Sequence, residues 1–478
     1  MYLLKNAILS TNTKIQGSKQ VLLFIQHLKK TKNVEEAILN TYQGKTPSRT
    51  TKARLIERTN DFVSKSVLWY TKSGSEYRKV FKNAYRALAV FKILRAISLK
   101  RDAIYIAEKN LPKAIQYQIT EVVMLLVIEL RNHYASVEGD KKYKQYKELC
   151  KKAIADFQAE QEAEEYFCEL VRYFSRTQGI VDPQINEMAE SYLSRLEAIR
   201  HPESSYRFMF WYYYIYLFKK QLENDHTGII TECKNVLEYF DRLPFPLPYA
   251  THFIFYFKLI PSHILLSGFD QVKTTIQKAL GTIPDKGTLN ELICYKYMVI
   301  GGFHHRRYDY VIQGIELAKA YKNKPEEWEL FEAYLYLLFT AKKIDYPIKK
   351  RIGKLMNEVP ILNKDKRGLF VNLLIIQIVH WLLNKKFGKI IDRVDAMKVY
   401  QSKYLNRSPF EQTRLRCFIL MLRKIANCAF QKEESIQQSK KLLEELNASA
   451  LQDNWGNVDI EIFPLPDLWK IITENLIS

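Results

Sequence analysis

Glycine and proline are scarce in this 478-residue chain, which contains only 16 and 15 of them. Turn-rich β-sandwiches and disordered chains usually need more of both residues, so the scarcity disfavours both classes. Apolar residues make up 47% of the sequence, which is ample material for a core. Tyrosine (31) and phenylalanine (25) are abundant, and rings of this size can fill wide seams between helices.

Cysteine is also sparse, and none of the six cysteines forms a Cys-x-x-Cys pair. Most of them stand in apolar, helix-like contexts, as Cys294 and Cys417 do. A disulfide framework or a zinc site is therefore disfavoured. We expect buried free thiols in a reducing compartment.

Long hydrophobic runs are missing. The strongest apolar stretch, from Leu369 to Leu383, has 15 residues and contains three polar side chains. A membrane span needs roughly 20 residues, so a buried helix is the better prediction. The start of the chain carries Lys5 and no long apolar segment, which disfavours a secretory signal. We expect a cytoplasmic protein without a membrane partner.

The motifs of several enzyme classes are absent. The sequence contains no GxxxxGK[ST], no HExxH and no GxSxG, and no GxGxxG follows a predicted strand. His304 and His305 are the only adjacent histidines, and no further metal ligands stand nearby at a suitable spacing. We predict a surface turn at this pair. We also predict a protein that is not an enzyme, with no catalytic, cofactor-binding or metal-ligating residues and no cofactor.

Positive charge is concentrated at one end of the chain. The net charge is +21, and residues 1–100 carry 20 Lys plus Arg against 5 Asp plus Glu. The remaining 378 residues carry only +6. This asymmetry indicates an anionic partner for the N-terminal part, such as nucleic acid, a ribosome or an acidic protein. The alternative is a basic helical surface that only faces water.

Three short helices are predicted in this basic region, at Lys19–Lys30, Val34–Tyr42 and about Thr50–Tyr70. Ser48 is positioned to cap the third helix. Three helices with a basic third one would suit a module similar to a helix-turn-helix. The candidate nucleic-acid contacts are Lys45, Arg49, Lys52, Arg54 and Arg58.

A repeated pattern follows in the second half of the chain. An apolar helix, a short polar break and an amphipathic helix are followed by a proline, five times over. The prolines are Pro244, Pro284, Pro325, Pro360 and Pro409, spaced 35 to 49 residues apart. A lone helix pair would leave an apolar face in water, so the pattern predicts stacked pairs that share one core.

The segment from Gly301 to Pro325 carries the clearest family likeness. Gly301-Gly302-Phe303, the basic turn to Tyr308, then Ala318 and Pro325 resemble the inter-helix turn and second helix of the tetratricopeptide-like superfamily. The Trp-Leu-Gly-Tyr pattern of that family's first helix is absent, and the unit length drifts. The resemblance covers roughly residues 160–450. It implies a right-handed α-solenoid of stacked antiparallel helix pairs, usually with a peptide or protein partner and without catalytic residues.

The aromatic run at residues 206–218 has two interpretations. It is either core of the repeat stack or, in part, the lining of a groove that holds a peptide. The basic turn that begins at residue 304 could contact an acidic partner. The candidate groove residues are Tyr212, Tyr213, Tyr216, Tyr249, Tyr256, His304, Arg306 and Arg307.

These observations predict an all-α protein with four parts. A basic N-terminal helical region covers residues 1–72, and helical hairpins at 73–160 lead into repeats at 161–450. A C-terminal cap covers 451–478. The leading functional hypothesis is a non-enzymatic scaffold that binds a protein or peptide. The alternative is a nucleic-acid- or ribosome-associated regulator that uses the basic N-terminal region.

Overall fold

A computed structural model describes residues 19–31, 33–67, 75–137, 140–176, 183–346, 369–400, 413–449 and 461–477. Within these ranges the chain is all-helical, as the sequence predicts, and one isolated bridge between Gln431 and Ile477 is its only β-type pairing. The helices are α1 Lys19–Thr31, α2 Val34–Thr41, α3 Arg49–Val67, α4 Glu76–Ala96, α5 Lys100–Gln116, α6 Thr120–Tyr134, α7 Asp140–Arg176, α8 Pro183–Ile199, α9 Tyr206–Leu222, α10 His226–Asp241, α11 Tyr249–Leu266, α12 Phe269–Thr282, α13 Leu289–His304, α14 Tyr308–Ala318, α15 Glu327–Thr340, α16 Leu369–Leu383, α17 Phe387–Tyr400, α18 Thr413–Asn427, α19 Lys432–Ala448 and α20 Leu465–Glu474.

The predicted helices agree with the observed ones where both can be compared. The first three begin within one residue of their predicted starts. Several predictions fall outside the described residues: the end of the third helix at Tyr70, the prolines Pro360 and Pro409, and residues 451–460 of the expected cap.

The same type of tight turn joins several pairs of consecutive helices. Between α13 and α14, Arg306 has a left-handed φ of 54°, and the Arg307 N–H donates to the Gly302 carbonyl at 2.8 Å. This bond closes the helix end as in a Schellman motif, and α14 begins at the next residue. The same arrangement recurs at Ser98, Gln118, Asn224 and Lys385. Because the turn is so short, the second helix folds back on the first, and consecutive helices such as α13 and α14 pack together.

The chain divides into two compact units. Unit 1 comprises Met1–Phe157 and Pro244–Pro248, and unit 2 comprises Gln158–Leu243 and Tyr249–Ser478. In unit 1, Phe24 and Leu28 of α1 pack with Ile38 of α2 and Leu55 of α3 in a small core. The following helices, α4 to α6, also pack on one another within unit 1.

Unit 2 contains the larger cores. One forms around α7 to α9, and another runs from α11 to the C-terminal helix α20. The C-terminal segment is built into the second core, since the Phe463 ring lies 5.2 Å from the Phe303 ring and 5.5 Å from the Tyr334 ring. Residues far apart in sequence therefore share one core at this point.

The described helices include none that is both long and apolar enough to cross a membrane. Leu369–Leu383 is instead a helix, α16, that packs against α15 and α17. Five of the six cysteines are buried free thiols, as expected, whereas Cys168 on α7 is exposed.

Candidate nucleic-acid interface

Helix α3 has a buried face and a basic exposed face. Leu55 and Thr59, one turn apart, are both buried, and the Thr59 hydroxyl donates to the Leu55 carbonyl at 2.7 Å. This inward pair orients the helix against α1. Arg54 and Arg58 are also one turn apart and are exposed, on the side of the helix that adjoins the buried pair.

The basic charge on this face is not neutralised locally. Lys45, Arg49, Arg54 and Arg58 are exposed, and none forms an ion pair with any residue in the described part of the chain. Long cationic side chains without intramolecular partners remain available to an external anion. We call these four residues the α3 basic face.

Lys52, the fifth predicted contact, is placed differently. Its ammonium group lies 2.9 Å from a carboxylate oxygen of Glu35 on α2, and its side chain is 29% exposed. The ion pair joins α3 to α2 and offsets the charge that Lys52 would offer to a partner. Because Lys52 is paired with Glu35, it is not part of the α3 basic face.

The start of α3 adds to the positive field. The Ser48 hydroxyl accepts a bond from the Thr51 N–H at 3.2 Å, and the first turn contains no acidic residue. The N-terminal end of a helix carries partial positive charge from its unpaired N–H groups. Lys45 and Arg49 lie beside this end, so the field here favours an anion.

The predicted groove tyrosines are divided between two cores of unit 2. Tyr212, Tyr213 and Tyr216 are partly buried against the core of α7 to α9, and the Arg200 guanidinium lies 5.2 Å from the Tyr212 ring centre. Tyr249 and Tyr256 are partly buried against the core that runs to α20. These side chains contribute to packing, and they do not share one core.

The basic turn is tied to the rest of unit 2. His304 is the last residue of α13, where its Nε2 donates to the Glu461 carbonyl at 2.7 Å. Burial lowers the pKa of His304, and the Nε2–H is the donor in this bond because a carbonyl can only accept. Arg306 makes two bonds to Asp467, at 2.7 and 2.8 Å. The expectation of a plain surface turn is therefore wrong for His304.

Arg307 is held in a similar way. Its guanidinium lies 4.6 Å from the centre of the Phe269 ring and 3.3 Å from a carboxylate oxygen of Asp309. The side chains of this turn therefore form contacts within unit 2. In the described residues, no group of three histidine, cysteine or acidic side chains is placed to hold a metal ion.

Two features of unit 2 escaped sequence reasoning. The first is Lys258 on α11, whose ammonium donates to the Gln221 side-chain carbonyl at 2.6 Å and lies 5.0 Å from the Tyr214 ring centre. Burial lowers its pKa to about 8 and raises that of the neighbouring Cys233 thiol to about 12. The sequence signal for this feature is a single lysine within the apolar sequence of α11.

The second feature is a cleft of about 390 Å³ between α10, α11 and α12. Charged, polar and aromatic side chains from all three helices line it, and Tyr256 is the one predicted groove residue among them. We call it the α10–α12 cleft. Its lining residues come from three separate helices, so no local sequence motif indicates the cleft.

Comparisons with known proteins give one informative similarity. No family model and no solved structure matches the chain. Over 140 residues the chain is 30% identical to a tRNA (guanine(37)-N(1))/4-demethylwyosine(37)-methyltransferase, Taw22, from Nanoarchaeum equitans. The similarity covers 29% of this chain and 43% of that protein, so the chain spans less than half the length of this curated relative.

This similarity corrects two predictions. The sequence motifs led us to expect a non-enzymatic scaffold for a protein or peptide, and the similarity to an enzyme that acts on tRNA contradicts both parts of that prediction. The physical reason for the error is that absent short motifs exclude only the enzyme classes that use them. The findings favour the alternative, a nucleic-acid- or ribosome-associated regulator, over the scaffold.

Proposed function

We propose that this protein binds tRNA through the α3 basic face and takes part in tRNA modification. The observation that carries the proposal is the set of four exposed cations on and before α3, all without ion-pair partners among the described residues. The similarity to a tRNA methyltransferase supports tRNA as the class of nucleic acid.

The chemistry of the α3 basic face suits a phosphate backbone. Lysine and arginine side chains bind phosphates, and each neutralised phosphate releases condensed counterions. A helix cannot read bases in the deep, narrow major groove of an RNA duplex, so we expect contacts to phosphates and 2′-hydroxyl groups. Because such contacts do not read the bases, we expect the protein to recognise a folded RNA by its shape.

The binding proposal is tested with an unmodified tRNA transcript and the full chain, by fluorescence anisotropy over a series of salt concentrations. The double variant Arg54→Glu/Arg58→Glu should weaken binding at least tenfold and reduce the salt slope by about 2, one for each lost phosphate contact.

The control is Lys440→Glu/Lys441→Glu, which makes the same change in net charge at two exposed positions of α19. It should bind nearly as tightly as the wild type. Equal affinities for the wild type and the Arg54→Glu/Arg58→Glu variant would contradict the proposed contact.

The enzymatic part of the proposal has its own assay. The full chain is incubated with unmodified tRNA and a methyl donor that carries a radiolabelled methyl group. The proposal expects label in the tRNA, and less of it with the Arg54→Glu/Arg58→Glu variant. Binding without any transfer of label would limit the function to tRNA recognition.

We also propose that the helices of unit 2 stack as a right-handed solenoid of the tetratricopeptide-like kind. Its support is the recurring tight turn and the packing of consecutive helices along this unit. An experimentally determined structure of the chain tests it: consecutive helix pairs of unit 2 should be related by a right-handed superhelical rotation, and a left-handed rotation or a closed bundle would contradict the solenoid.

A further inference from the structure

We propose that α5 binds a single-stranded segment of RNA, by stacking one base on Tyr105 and holding the neighbouring phosphates with Arg101 and Lys109. All three residues belong to unit 1, and we call them the α5 aromatic–basic face. The inference rests on the proposed function for its choice of RNA, and it adds the kind of RNA segment that the protein recognises.

Tyr105 presents a large aromatic ring to solvent. The residue is 61% exposed, and among the large hydrophobic side chains that the structure describes only Leu289 is more exposed, at 65%. Its hydroxyl forms no hydrogen bond within the described chain, whereas the hydroxyl of Tyr134 in the same unit donates to Glu108 at 2.8 Å. The Tyr105 ring is therefore not used in the packing of unit 1 and is available to a partner.

Helix geometry places this ring away from the core of unit 1. A helix turns about 100° per residue, so the buried residues of α5 lie on one side of it. They are Ala103, Ile104, Ala107, Leu111 and Ala114. Tyr105 and Lys109 project from the opposite side, and Arg101 lies one turn before Tyr105. The α5 aromatic–basic face thus points into solvent.

One cation stands on either side of the ring. Arg101, Tyr105 and Lys109 are four residues apart, so they form one row on the helix. At about 1.5 Å per residue, the two cations are roughly 12 Å apart along the axis, with the ring midway. The Lys109 ammonium lies 5.7 Å from the ring centre, near the outer limit of a cation–π contact. This contact occupies one side of the ring and leaves the other side open.

The positive charge of this row is not neutralised locally. Arg101 and Lys109 are exposed, and neither forms an ion pair with a residue of the described chain. Lys113, one turn after Lys109, is exposed and unpaired in the same way. The exposed side of α5 carries one carboxylate, Asp102, against these three cations. The local field therefore attracts an anion.

A second carboxylate beside the row has its own cation. Glu108 lies 2.8 Å from the Lys142 ammonium and is 32% exposed. It also accepts the Tyr134 hydroxyl, and Lys142 is itself 2.8 Å from that hydroxyl. Because Lys142 balances the charge of Glu108 within unit 1, this carboxylate does not cancel the charge of the α5 aromatic–basic face.

An exposed ring between free cations suits single-stranded RNA. Unpaired bases stack on aromatic side chains, and positively charged side chains follow the phosphates on either side. A base inside a duplex is already stacked on its neighbours and cannot reach Tyr105. The α5 aromatic–basic face should therefore select unpaired segments, such as the loops of a folded tRNA.

Fluorescence anisotropy of the full chain with a labelled oligouridine of about 12 nucleotides tests the inference, since single strands occupy sites of this size. Tyr105→Ala should weaken binding about tenfold, because the stacking of one base is lost. Tyr105→Phe should bind within about twofold of the wild type, because the ring is kept. Tyr105→Leu should be as weak as Tyr105→Ala, because leucine is apolar but has no ring.

The salt dependence separates stacking from phosphate contacts. Arg101→Gln/Lys109→Gln should reduce the slope of log affinity against log salt by about 1.4, which is about 0.7 for each lost contact to a single strand. Tyr105→Ala should leave this slope unchanged, because the tyrosine carries no charge. Equal slopes for the wild type and the Arg101→Gln/Lys109→Gln variant would contradict the phosphate contacts.

The matched control is Ile93→Ala on α4, since Ile93 is also 61% exposed but has no ring. It should bind oligouridine as the wild type does, and circular dichroism should show that all variants are folded. An RNA duplex of the same length should bind the wild type and Tyr105→Ala equally, because its bases are not available for stacking.

Three outcomes would overturn the inference. They are the absence of saturable oligouridine binding at micromolar concentration, wild-type affinity of Tyr105→Ala, and wild-type affinity of Tyr105→Leu, which would indicate an apolar partner surface instead of a stacked base. The tRNA contact fails separately: wild-type tRNA binding by Arg54→Glu/Arg58→Glu would contradict it, whatever the Tyr105 variants do with oligouridine.

Discussion

Arg414 and Glu461 form a two-point ion pair in which Nε and Nη2 of the guanidinium each lie 2.9 Å from a carboxylate oxygen. The two side chains are only 12% and 7% exposed. Arg414 also donates to the carbonyls of Leu446 and Ser449, and Glu461 accepts the Leu465 N–H. This pair joins the start of the C-terminal segment to α18 and the end of α19.

Loss of one partner should therefore be costly. Arg414→Met would leave a buried carboxylate without its cation and two carbonyls without a donor, so we expect the free energy of unfolding to fall by about 3–5 kcal/mol. Urea denaturation followed by circular dichroism measures it. Arg416→Met, on the same helix and in a more exposed pair with Glu445, is the control and should cost less than about 1 kcal/mol. Similar losses for both variants would contradict the role given to the buried pair.

Gly302 allows α14 to approach α13 closely. A Cβ at this position would lie 2.7 Å from Cγ2 of Val311 and 3.0 Å from two backbone atoms of α14 and the preceding turn. Gly302→Ala should therefore lower the melting temperature, by an amount that corresponds to about 1–3 kcal/mol. Gly281→Ala, at a helical position with open space around it, should raise stability by about 0.5–1 kcal/mol. A neutral Gly302→Ala variant would show that the helices are not in contact there.

Stability should fall as the solution is acidified below pH 6.5. The pKa of His263 is lowered to about 4 in the folded protein, so the unfolded chain binds a proton between pH 6.5 and pH 4 that the folded chain does not. Burial lowers the pKa of His226, His304 and His380 in the same direction. We predict that His263→Gln reduces the loss of unfolding free energy between pH 7.5 and pH 5 by about 2 kcal/mol. An identical loss in variant and wild type would contradict the lowered pKa.

Local patterns predicted the helices but not their long-range contacts. Periodicity and capping residues placed α1 to α3, because those signals depend on neighbours within a few residues. The bond from His304 to Glu461 joins residues 157 positions apart, and no local pattern carries that information. Lys52 shows the same limit at shorter range, since its pairing with Glu35 depends on how α3 packs beside α2.

The most direct test of the central claim is nucleic-acid carry-over. The native protein is purified at low salt, and its bound RNA is extracted and sequenced beside that of the Arg54→Glu/Arg58→Glu variant. We predict that tRNA dominates the RNA bound to the wild type, is released by a salt wash and is strongly depleted from the variant. Wild-type protein that carries no RNA, or a variant that carries the same tRNA in the same amount, would contradict tRNA binding through the α3 basic face.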